Sequence, residues 1–467
     1  MDKAKPCVLN LTFPFDLTRD QLAAVDAWVS NGYRGSIIYS TGTGKTEIAF
    51  ECAKRRATEN LTYIKAENVN AGSNNGSHYA ESTVPSILFL VPRIILIEQN
   101  FRRLLSYHIS EESIGVYFGE RKEVREITIS TYQSLINNLE LIRSADTIVF
   151  DEMHLLTDSA MTLRKMFYLL NKEEHNSSHK KALLGLTATI DEQHPNYNTI
   201  VSLLPPVKKY MIRDAVQDGR LAKPIVIPIR TKLTVEEKSL YNSYSNKIKK
   251  ISNELNISDP QSMSMVLRKG GISAKLARSW FENVRNRKNL INSAQNKISA
   301  AVELIATRHP SERIMVFSET IESIRKLKET LELEKGIKSM IIESKLKSKE
   351  RQEILSRWGT DFYPLLSVHT LEIGYDVPQV RIAIILASTS NMNQAAQRVG
   401  RTLRKTEGKH SALIYTVYLS DTHDYTHLGI VRQATQLDNR KRQFIDNNAK
   451  NRAISTRSNT KLDPFMT

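Results

Sequence analysis

The chain has 467 residues, of which 40% are hydrophobic and 25% are charged, and its lysines and arginines outnumber its acidic residues by 16. This length predicts two or three domains, and this composition is ordinary for a soluble globular protein. No apolar run approaches the ~20 residues of a membrane helix, and no apolar segment typical of a secretory signal follows Met1. Two cysteines cannot form a disulfide framework or a four-ligand zinc site, so we expect a reducing compartment, most simply the cytoplasm.

Short apolar runs alternate with helical patterns over about the first 205 residues. A strand is predicted at 36–40 and a helix at 45–57, on either side of a glycine-containing loop. Further strands are predicted at 86–91, 128–131, 147–150 and 183–186; the first of them ends at Pro92 and is followed by a helix through Leu105. The Asn-, Ser- and Gly-rich stretch within 58–85 predicts a flexible surface insertion. This alternation predicts a parallel sheet that helices cover on both faces.

The second half of the chain has the same alternation after a helical interval. A second domain is predicted to open at 218–224 and to continue into a strand at 225–229, with helices over most of 234–306. Apolar residues at spacings of four and seven are expected to line one face: Leu276, Trp280, Val284, Ile291, Ile298 and Ile305. Strands are then predicted at 313–317, 338–342, 364–368 and 381–386, and helices at 320–333 and 348–358.

Half of the positive charge excess lies in one segment. Residues 231–300 contain 13 lysines and arginines but 5 acidic residues. A solvated helical surface would explain this bias, but contact with a phosphate backbone is favoured because the segment lies between two candidate nucleotide motifs.

The loop after the first strand is typical of a nucleotide-phosphate site. It reads Ser40, Thr41, Gly42, Thr43, Gly44, Lys45 and Thr46. The glycines let backbone N–H groups turn toward an anion, and the next helix adds its positive end. Lys45 can reach the β- and γ-phosphates, and the Thr46 hydroxyl can ligate Mg²⁺. Tyr39 stands where the full pattern has glycine.

A pair of carboxylates follows another apolar strand. Asp151 and Glu152 come directly after 148–150, at the end of a parallel strand where ligands bind in open α/β folds. Asp151 would hold Mg²⁺ through water, and Glu152 would orient and polarise the attacking water. His154 is interpreted as coupling this site to the next motif, with an ordinary polar helix position as the alternative.

Two arginines near the end of the second half complete the chemistry. Arg401 and Arg404 lie three residues apart, which predicts a shared helix face. Two guanidiniums suit the spread negative charge of a transferring phosphoryl group. If they come from the second domain, hydrolysis requires the two domains to close.

Together these motifs resemble superfamily 2 helicases and translocases, of the DEAH-like branch that includes the XPB and UvsW types. The matching segments are 17–21, 90–93, 129–135, 151–154, 186–189, 314–318, 371–378 and 397–404. The sequence Asp-Glu-Met-His at 151–154 is a variant of the family's Asp-Glu-Ala-His. The resemblance implies an α/β fold of two RecA-like doubly wound parallel-sheet domains, with ATP and Mg²⁺ in the cleft between them.

The resemblance also implies roles for individual residues. Gln21 would read the adenine, Gly374 and Asp376 would contact the nucleotide, and Gln397 would join the arginines in catalysis. Thr187 and Thr189 would link the ATP state to domain closure. The strand phosphates would be gripped by Pro92, Arg93, Thr131, Ser318 and Thr370.

The domain bounds that follow are 1–210 for the ATP-binding domain and 211–430 for the second, with a basic helical insertion at 231–306. Residues 431–467 are expected to be a basic polar tail. Two features depart from the XPB type. The stretch 190–195 lacks its Arg-Glu-Asp element, and only about 35 residues precede the phosphate loop, so we expect no separate N-terminal DNA-binding domain.

The sequence therefore predicts an ATP-dependent helicase or translocase, with DNA favoured over RNA through the resemblance alone. One rival is a duplex-DNA translocase that remodels branches without separating strands. Another is an ATP-gated nucleic-acid clamp, which Glu152 and both arginines argue against, and a third is a protein-moving ATPase of related architecture. The sequence does not indicate the direction of movement, the oligomeric state, or a nuclease or repair partner.

Overall fold

A computed structural model of the chain describes residues 6–70, 86–158, 165–166, 168–170, 180–189, 197–343, 346–368, 380–387 and 392–435. The segments 71–85, 190–196 and 436–467, on which parts of the predictions above fall, lie outside the described residues.

The first half forms an eight-stranded sheet. Its strands are β1 (Arg34–Tyr39), β2 (Ile87–Val91), β3 (Ile114–Phe118), β4 (Arg121–Lys122), β5 (Ile127–Thr131), β6 (Thr147–Phe150), β7 (Ala182–Thr187) and β8 (Pro206–Tyr210). Their order across the sheet is β4-β3-β5-β2-β6-β7-β1-β8. All neighbours are parallel except β3 and β4, which pair antiparallel. The central strands are buried on both sides, which explains their near-continuous apolar sequences.

Helices cover this sheet on both faces. They are α1 (Arg19–Ser30), α2 (Lys45–Asn70), α3 (Ile94–Ser106), α4 (Tyr132–Ile136), α5 (Glu140–Ser144), α6 (Tyr197–Leu203) and α7 (Ile212–Gln217), with 3₁₀ turns at Cys7–Asn10, Glu111–Ser113 and Met153–Asp158. Alternate residues of β2 separate the two faces. Phe89 packs in one buried cluster with Phe50 of α2, and Leu90 packs in the other with Leu135 of α4.

The second half forms a six-stranded, fully parallel sheet. Its strands are β9 (Lys223–Thr231), β10 (Ile314–Ser318), β11 (Met340–Ile342), β12 (Pro364–Val368), β13 (Ile382–Ile385) and β14 (Ser411–Leu419). Their order is β11-β12-β10-β13-β14-β9. The edge strand β9 pairs with β14 from Lys223 opposite Ser411 to Thr231 opposite Leu419. The predicted pair of parallel α/β sheets is confirmed.

Helices of the second half include the basic segment. They are α8 (Val235–Leu255), α9 (Pro260–Lys269), α10 (Gly271–Asn292), α11 (Gln295–Glu303), α12 (Ile321–Lys335), α13 (Ser348–Arg357), α14 (Met392–Leu403) and α15 (Tyr425–Thr435), with a π turn at Leu304–Arg308. The helices α8, α9 and α10 enclose a small core of their own around Ile251, Met263 and Trp280. They therefore form a compact helical insertion between β9 and β10.

Three details differ from the sequence predictions. The helix predicted to end at residue 57 continues to Asn70, so the first part of the predicted flexible insertion is helical. The apolar stripe is not one face, because Trp280, Ile291 and Ile298 belong to three separate clusters on two helices. The strands β3, β4, β8 and β14 were not assigned from the sequence. The chain passes from the first sheet to the second between Tyr210 and Lys223.

Within the described residues, no helix is both long and apolar enough to cross a membrane. Cys7 and Cys52 are both buried and unbridged.

Candidate nucleotide site

The order of strands in the first sheet brings three predicted motifs together. The phosphate loop follows β1, the Thr187–Thr189 segment follows β7, and the carboxylate pair follows β6. Because β7 pairs with both β1 and β6, the threonines lie between the loop and the carboxylates at one edge of the sheet. Residues that are more than 100 positions apart in sequence thus share one site.

The phosphate loop has a backbone that glycine favours. Gly42 has φ +88° and Gly44 has φ +83°, both in the left-handed region. A Cβ at Gly44 would lie 2.2 Å from Nε2 of Gln21, so a side chain there would displace Gln21. The Gln21 amide donates to the carbonyls of Thr43 at 3.2 Å and Gly44 at 3.4 Å. Gln21 therefore braces the loop from α1, and its predicted contact with adenine stays a prediction.

Side chains of the loop are ordered by their own backbone. The hydroxyl of Thr43 is buried and donates to the Ser40 carbonyl at 2.7 Å. Lys45 folds back and donates from Nζ to the Tyr39 carbonyl at 3.1 Å. Thr46 lies in the first turn of α2, beside the positive end of that helix.

The carboxylate pair lies in a strained, half-buried turn. Glu152 has φ +49°, which is uncommon for a residue other than glycine and costs of order 1–3 kcal/mol. Burial and the adjacent Glu152 charge raise the pKa of Asp151 to about 7, and the nearby Lys45 ammonium opposes this shift. The phenol of Tyr132 donates to the Asp151 carbonyl at 2.7 Å, which anchors the turn.

His154 bridges the carboxylates and the threonine segment. The Thr187 hydroxyl donates to the Thr189 carbonyl at 2.7 Å, so its contact with His154 Nδ1, at 3.0 Å, has the imidazole as donor. The same Nδ1 lies 3.4 Å from Oε2 of Glu152. A proton on Nδ1 thus points at both neighbours, and this arrangement is a direct physical link between Glu152 and Thr187.

The second half of the chain touches the phosphate loop through α14. A Cβ at Gly400 would lie 2.7 Å from Cβ of Thr41, and a Cβ at Gly42 would lie 3.0 Å from Cγ of Arg404. Arg401 is buried beside this contact, with 4% of its surface exposed. The predicted shared helix face is wrong, because α14 ends at Leu403 and Arg404 instead forms an antiparallel β-bridge with Leu221.

Two of the candidate strand-contacting residues, Thr131 and Ser318, have hydroxyls that are engaged close to the start of a helix. The Thr131 hydroxyl accepts from the Ser134 backbone N–H at 3.1 Å and caps α4. The Ser318 hydroxyl is buried and lies 2.6 Å from that of Ser323 at the start of α12. Arg93 is exposed and Pro92 is half-buried just after β2. The structure thus places these residues at strand ends, with Arg93 the most accessible of them.

Three predicted residues, Thr370, Gly374 and Asp376, lie outside the described residues. Gln397 lies in α14, but its side chain is outside the described part of the chain.

Two family models match the chain. The model described as type III restriction enzyme, res subunit, matches residues 14–192, and the helicase conserved C-terminal domain matches residues 296–406. Together these two matches support a superfamily 2 helicase. With the XPB relatives described next, they support a nucleic-acid-dependent ATPase of the XPB-like type.

The helicase is similar to curated relatives over most of its length. It is 24% identical to the DNA 3'-5' translocase XPB2 of Sulfurisphaera tokodaii over 89% of this chain and 85% of that protein. It is 26% identical to the DNA 3'-5' helicase XPB of Mycobacterium tuberculosis over 72% of this chain and 54% of that protein. The chain thus spans about half the length of the second relative.

Two solved structures share the fold. The Hef helicase domain of Pyrococcus furiosus superposes with a TM-score of 0.53 at 17% identity, over 88% of this chain and 99% of that one. The type ISP restriction-modification enzyme LlaBIII bound to DNA superposes with a TM-score of 0.55 at 16% identity, over 91% of this chain and 30% of that one. At these identities the likeness shows the fold alone.

One residue of this site, Arg220, has no sequence motif that predicts it. Arg220, between the two sheets of the helicase, donates to the Thr43 carbonyl at 2.9 Å and pairs with Asp20 at 2.5 Å. Its segment, 218–224, stood out only as the opening of the second domain. An arginine beside a turn glycine carries no motif by which its partners could be found.

Proposed function

We propose that this helicase hydrolyses ATP in the cleft between its two sheets and uses the cycle to move along DNA. The observation that carries the proposal is the contact of Gly400 and Arg404 with Thr41 and Gly42. It brings the end of the arginine motif onto the phosphate loop, although some 360 residues separate the two in sequence. Hydrolysis would then depend on how closely the two halves approach each other.

Each polar group of the site has a distinct role in this proposal. Lys45 would leave the Tyr39 carbonyl for the β- and γ-phosphates, and the loop N–H groups of 42–46 would hold the same oxygens. Glu152 would orient the attacking water, and Arg401 and Arg404 would stabilise the charge that develops on the transferring phosphoryl group. Gln397 would assist from α14, the helix that carries Arg401.

The residues present fit Mg²⁺. No group of three or more His, Cys, Asp or Glu side chains able to hold a metal occurs among the described residues. That is expected here, because Mg²⁺ in such sites takes one or two protein ligands and otherwise phosphates and water. Asp151 is a carboxyl whose pKa burial raises, so a cation beside it would favour its charged form. Thr46 and Asp151 would hold the ion, and the bound ion would neutralise charge on the β- and γ-phosphates.

Coupling would run through His154. Its Nδ1 lies within 3.4 Å of both Glu152 and Thr187. A change in the water or phosphate next to Glu152 would therefore change how the Nδ1–H group is shared between these two acceptors. Thr187 is at the end of β7 and holds Thr189 by two hydrogen bonds. Movement of this segment would pass the nucleotide state to the residues that follow it.

DNA as the track is supported by two of the relatives, a DNA 3'-5' translocase and a DNA 3'-5' helicase, and we propose the same direction here. The helical insertion adds exposed cations, among them Lys249, Lys250, Lys275 and Arg278. Phosphate contacts of this kind are neutral to sequence and sensitive to salt. The residues proposed to contact the backbone of one strand are Pro92, Arg93, Thr131, Ser318 and Thr370. A reducing, cytoplasmic location stays a prediction.

The test is the ATPase rate with single-stranded DNA, duplex DNA, forked DNA and RNA, measured for the wild type and Lys45→Ala. We expect DNA to stimulate turnover and Lys45→Ala to lower kcat by orders of magnitude without a change in melting temperature. Arg55→Ala is the matched control, because Arg55 is a half-exposed cation on the same helix. Normal turnover in Lys45→Ala would show that the phosphate assignment is wrong.

Two movement assays separate the remaining alternatives. Displacement of one strand of a fork indicates a helicase, whereas stripping of a triplex without strand displacement indicates a duplex translocase. Forks with a single 3' or 5' tail test the direction. Absence of ATP turnover would favour an ATP-gated clamp, and turnover that neither DNA nor RNA stimulates would favour a protein-moving ATPase.

A further inference from the structure

Four residues between the two sheets, Gly219–Ala222, lie between the phosphate loop and residues 404–410, the loop from α14 to β14 that we call the arginine loop. We refer to them as the linker splint. The sequence around them opens the second half of the chain, and no motif role falls on them. Their contacts, however, reach both sides of the nucleotide site.

On the phosphate-loop side the contacts come from Arg220. Its Nη1 lies 2.5 Å from Oδ2 of Asp20, and its Nη2 donates to the Thr43 carbonyl at 2.9 Å. That carbonyl also accepts from Gln21 at 3.2 Å, so α1 and the linker splint hold the same loop atom. The Arg220 and Asp20 side chains are only 20% and 17% exposed, which limits screening of the pair by water.

The Arg220 side chain also lies over the ring of Tyr210. Its guanidinium carbon lies 5.9 Å from the ring centroid of Tyr210, which stacks on Tyr39 at 5.0 Å. Tyr39 is the last residue of β1 and donates its phenol to the Asp20 carbonyl at 2.8 Å. These contacts fix where the guanidinium lies relative to the root of the loop.

On the arginine side the contacts come from the splint backbone. The Ala222 N–H donates to the Leu403 carbonyl at 2.8 Å, and Leu221 pairs with Arg404 in an antiparallel bridge. Lys405 donates from Nζ to the Gly219 carbonyl at 2.7 Å. The position of Arg404 is therefore tied to the backbone that carries Arg220.

The parallel pairing of β9 with β14 explains this arrangement. The splint leads directly into β9, and the arginine loop leads into β14. Because Lys223 lies opposite Ser411, the segments before these two strands run side by side at the same edge of the sheet. This edge faces the phosphate loop, where the Leu221 side chain approaches Gly42.

We propose that Arg220 is a positioning residue for ATP hydrolysis, because it fixes the position of the phosphate loop relative to Arg404. The inference rests on the proposed function of the site. One planar guanidinium reaches two acceptors, Asp20 and the Thr43 carbonyl, in a way that a single ammonium group cannot. Movement of the loop on ATP binding or product release is thereby passed to the backbone that bears Arg404, without a contact between Arg220 and the phosphates.

The test measures kcat and KM for ATP in the DNA-stimulated reaction for Arg220→Ala, Arg404→Ala and the double variant. We expect Arg220→Ala to lower kcat by about 10- to 100-fold, the scale of a roughly 1 Å misplacement, and to change KM by less than about threefold. We expect the double variant to be about as slow as Arg404→Ala, because Arg220 acts through Arg404. Arg213→Ala, an exposed arginine on α7 in the same linker, should keep wild-type values.

Three results would overturn the inference. They are an unchanged kcat in Arg220→Ala, kcat losses that multiply in the double variant, or a loss that disappears when rates are divided by sites titrated with a fluorescent ATP analogue. If Arg220→Ala does not fold, Arg220→Lys decides, since it keeps the charge but reaches one acceptor. A kcat of Arg220→Lys at least threefold below wild type supports the inference, and a wild-type kcat overturns it. Failure of the proposed function is distinct, because it would appear as normal turnover in Lys45→Ala.

Discussion

Substituting Gly400 by alanine tests whether the two halves meet at the phosphate loop during turnover. Gly400 lies inside α14 and has no left-handed φ, so its backbone accepts an alanine. Helix propensity alone would make this change stabilising by roughly 1 kcal/mol. The new Cβ, however, would lie 2.7 Å from Cβ of Thr41.

The size of the effect follows from that distance. Carbon atoms pack best at about 3.5–4.0 Å, so α14 and the loop must separate by about 1 Å. A misplacement of that size costs about 100-fold in rate, or ~2.7 kcal/mol of transition-state stabilisation. We therefore expect Gly400→Ala to lower the DNA-stimulated kcat by about 10- to 100-fold while the melting temperature stays the same or rises.

The control for this prediction uses the partner residue. Thr41→Gly removes the Cβ that the new methyl group meets, so the pair Thr41→Gly with Gly400→Ala should recover part of the lost kcat relative to Gly400→Ala alone. The single variant Thr41→Gly measures the cost of added loop freedom. A wild-type kcat in Gly400→Ala, or no recovery in the pair, would refute a catalytic contact between the two residues.

Three further predictions concern coupling, the DNA track and a buried lysine. The Thr187→Val variant should still bind ATP, but its stimulation by DNA should fall at least about tenfold, because the substitution leaves His154 Nδ1 without its hydroxyl acceptor at a cost of about 1–3 kcal/mol. The control is Thr147→Val, at a buried threonine of β6. Equal stimulation in the two variants would contradict the coupling role. Replacing the exposed Lys249 and Lys250 by alanine should make the plot of the logarithm of the DNA association constant against log salt less steep, by about 0.9 per lost phosphate contact. Replacing the exposed Lys335 and Lys338 by alanine should leave this slope unchanged. Equal slopes for the two double variants would place the track elsewhere. Burial, together with the charges of the nearby Arg381 and Arg404, lowers the pKa of Lys409 from 10.5 to about 8. Between pH 8 and 10.5 this lysine is therefore protonated in the unfolded chain but largely neutral in the folded one. Because the unfolded state binds more protons, the contribution of Lys409 to stability rises with pH in this range. The melting temperature of the wild type relative to Lys409→Met should therefore increase from pH 8 to 10, and a constant difference would show that Lys409 is not shifted.

Much of the nucleotide chemistry was determined by the sequence alone. The loop 40–46 stands between an apolar run and a helical pattern, and glycine at 42 and 44 suits the left-handed backbone that the structure shows. Asp151 and Glu152 follow a run of buried apolar residues that could form only a short internal strand. These signals are local, since each depends on a few neighbouring residues and on the strand and helix that flank them.

Other features depended on tertiary structure. The placement of Thr187 between the phosphate loop and Glu152 follows from β7 lying between β1 and β6, an order that no local pattern carries. The contact of Arg404 with Gly42, and of Arg220 with Thr43, follows from the pairing of β9 with β14 and from the approach of the two halves. The sequence specifies which residues can bind phosphate because that chemistry is local, whereas strand order and packing over long sequence distances decide which of them share a site.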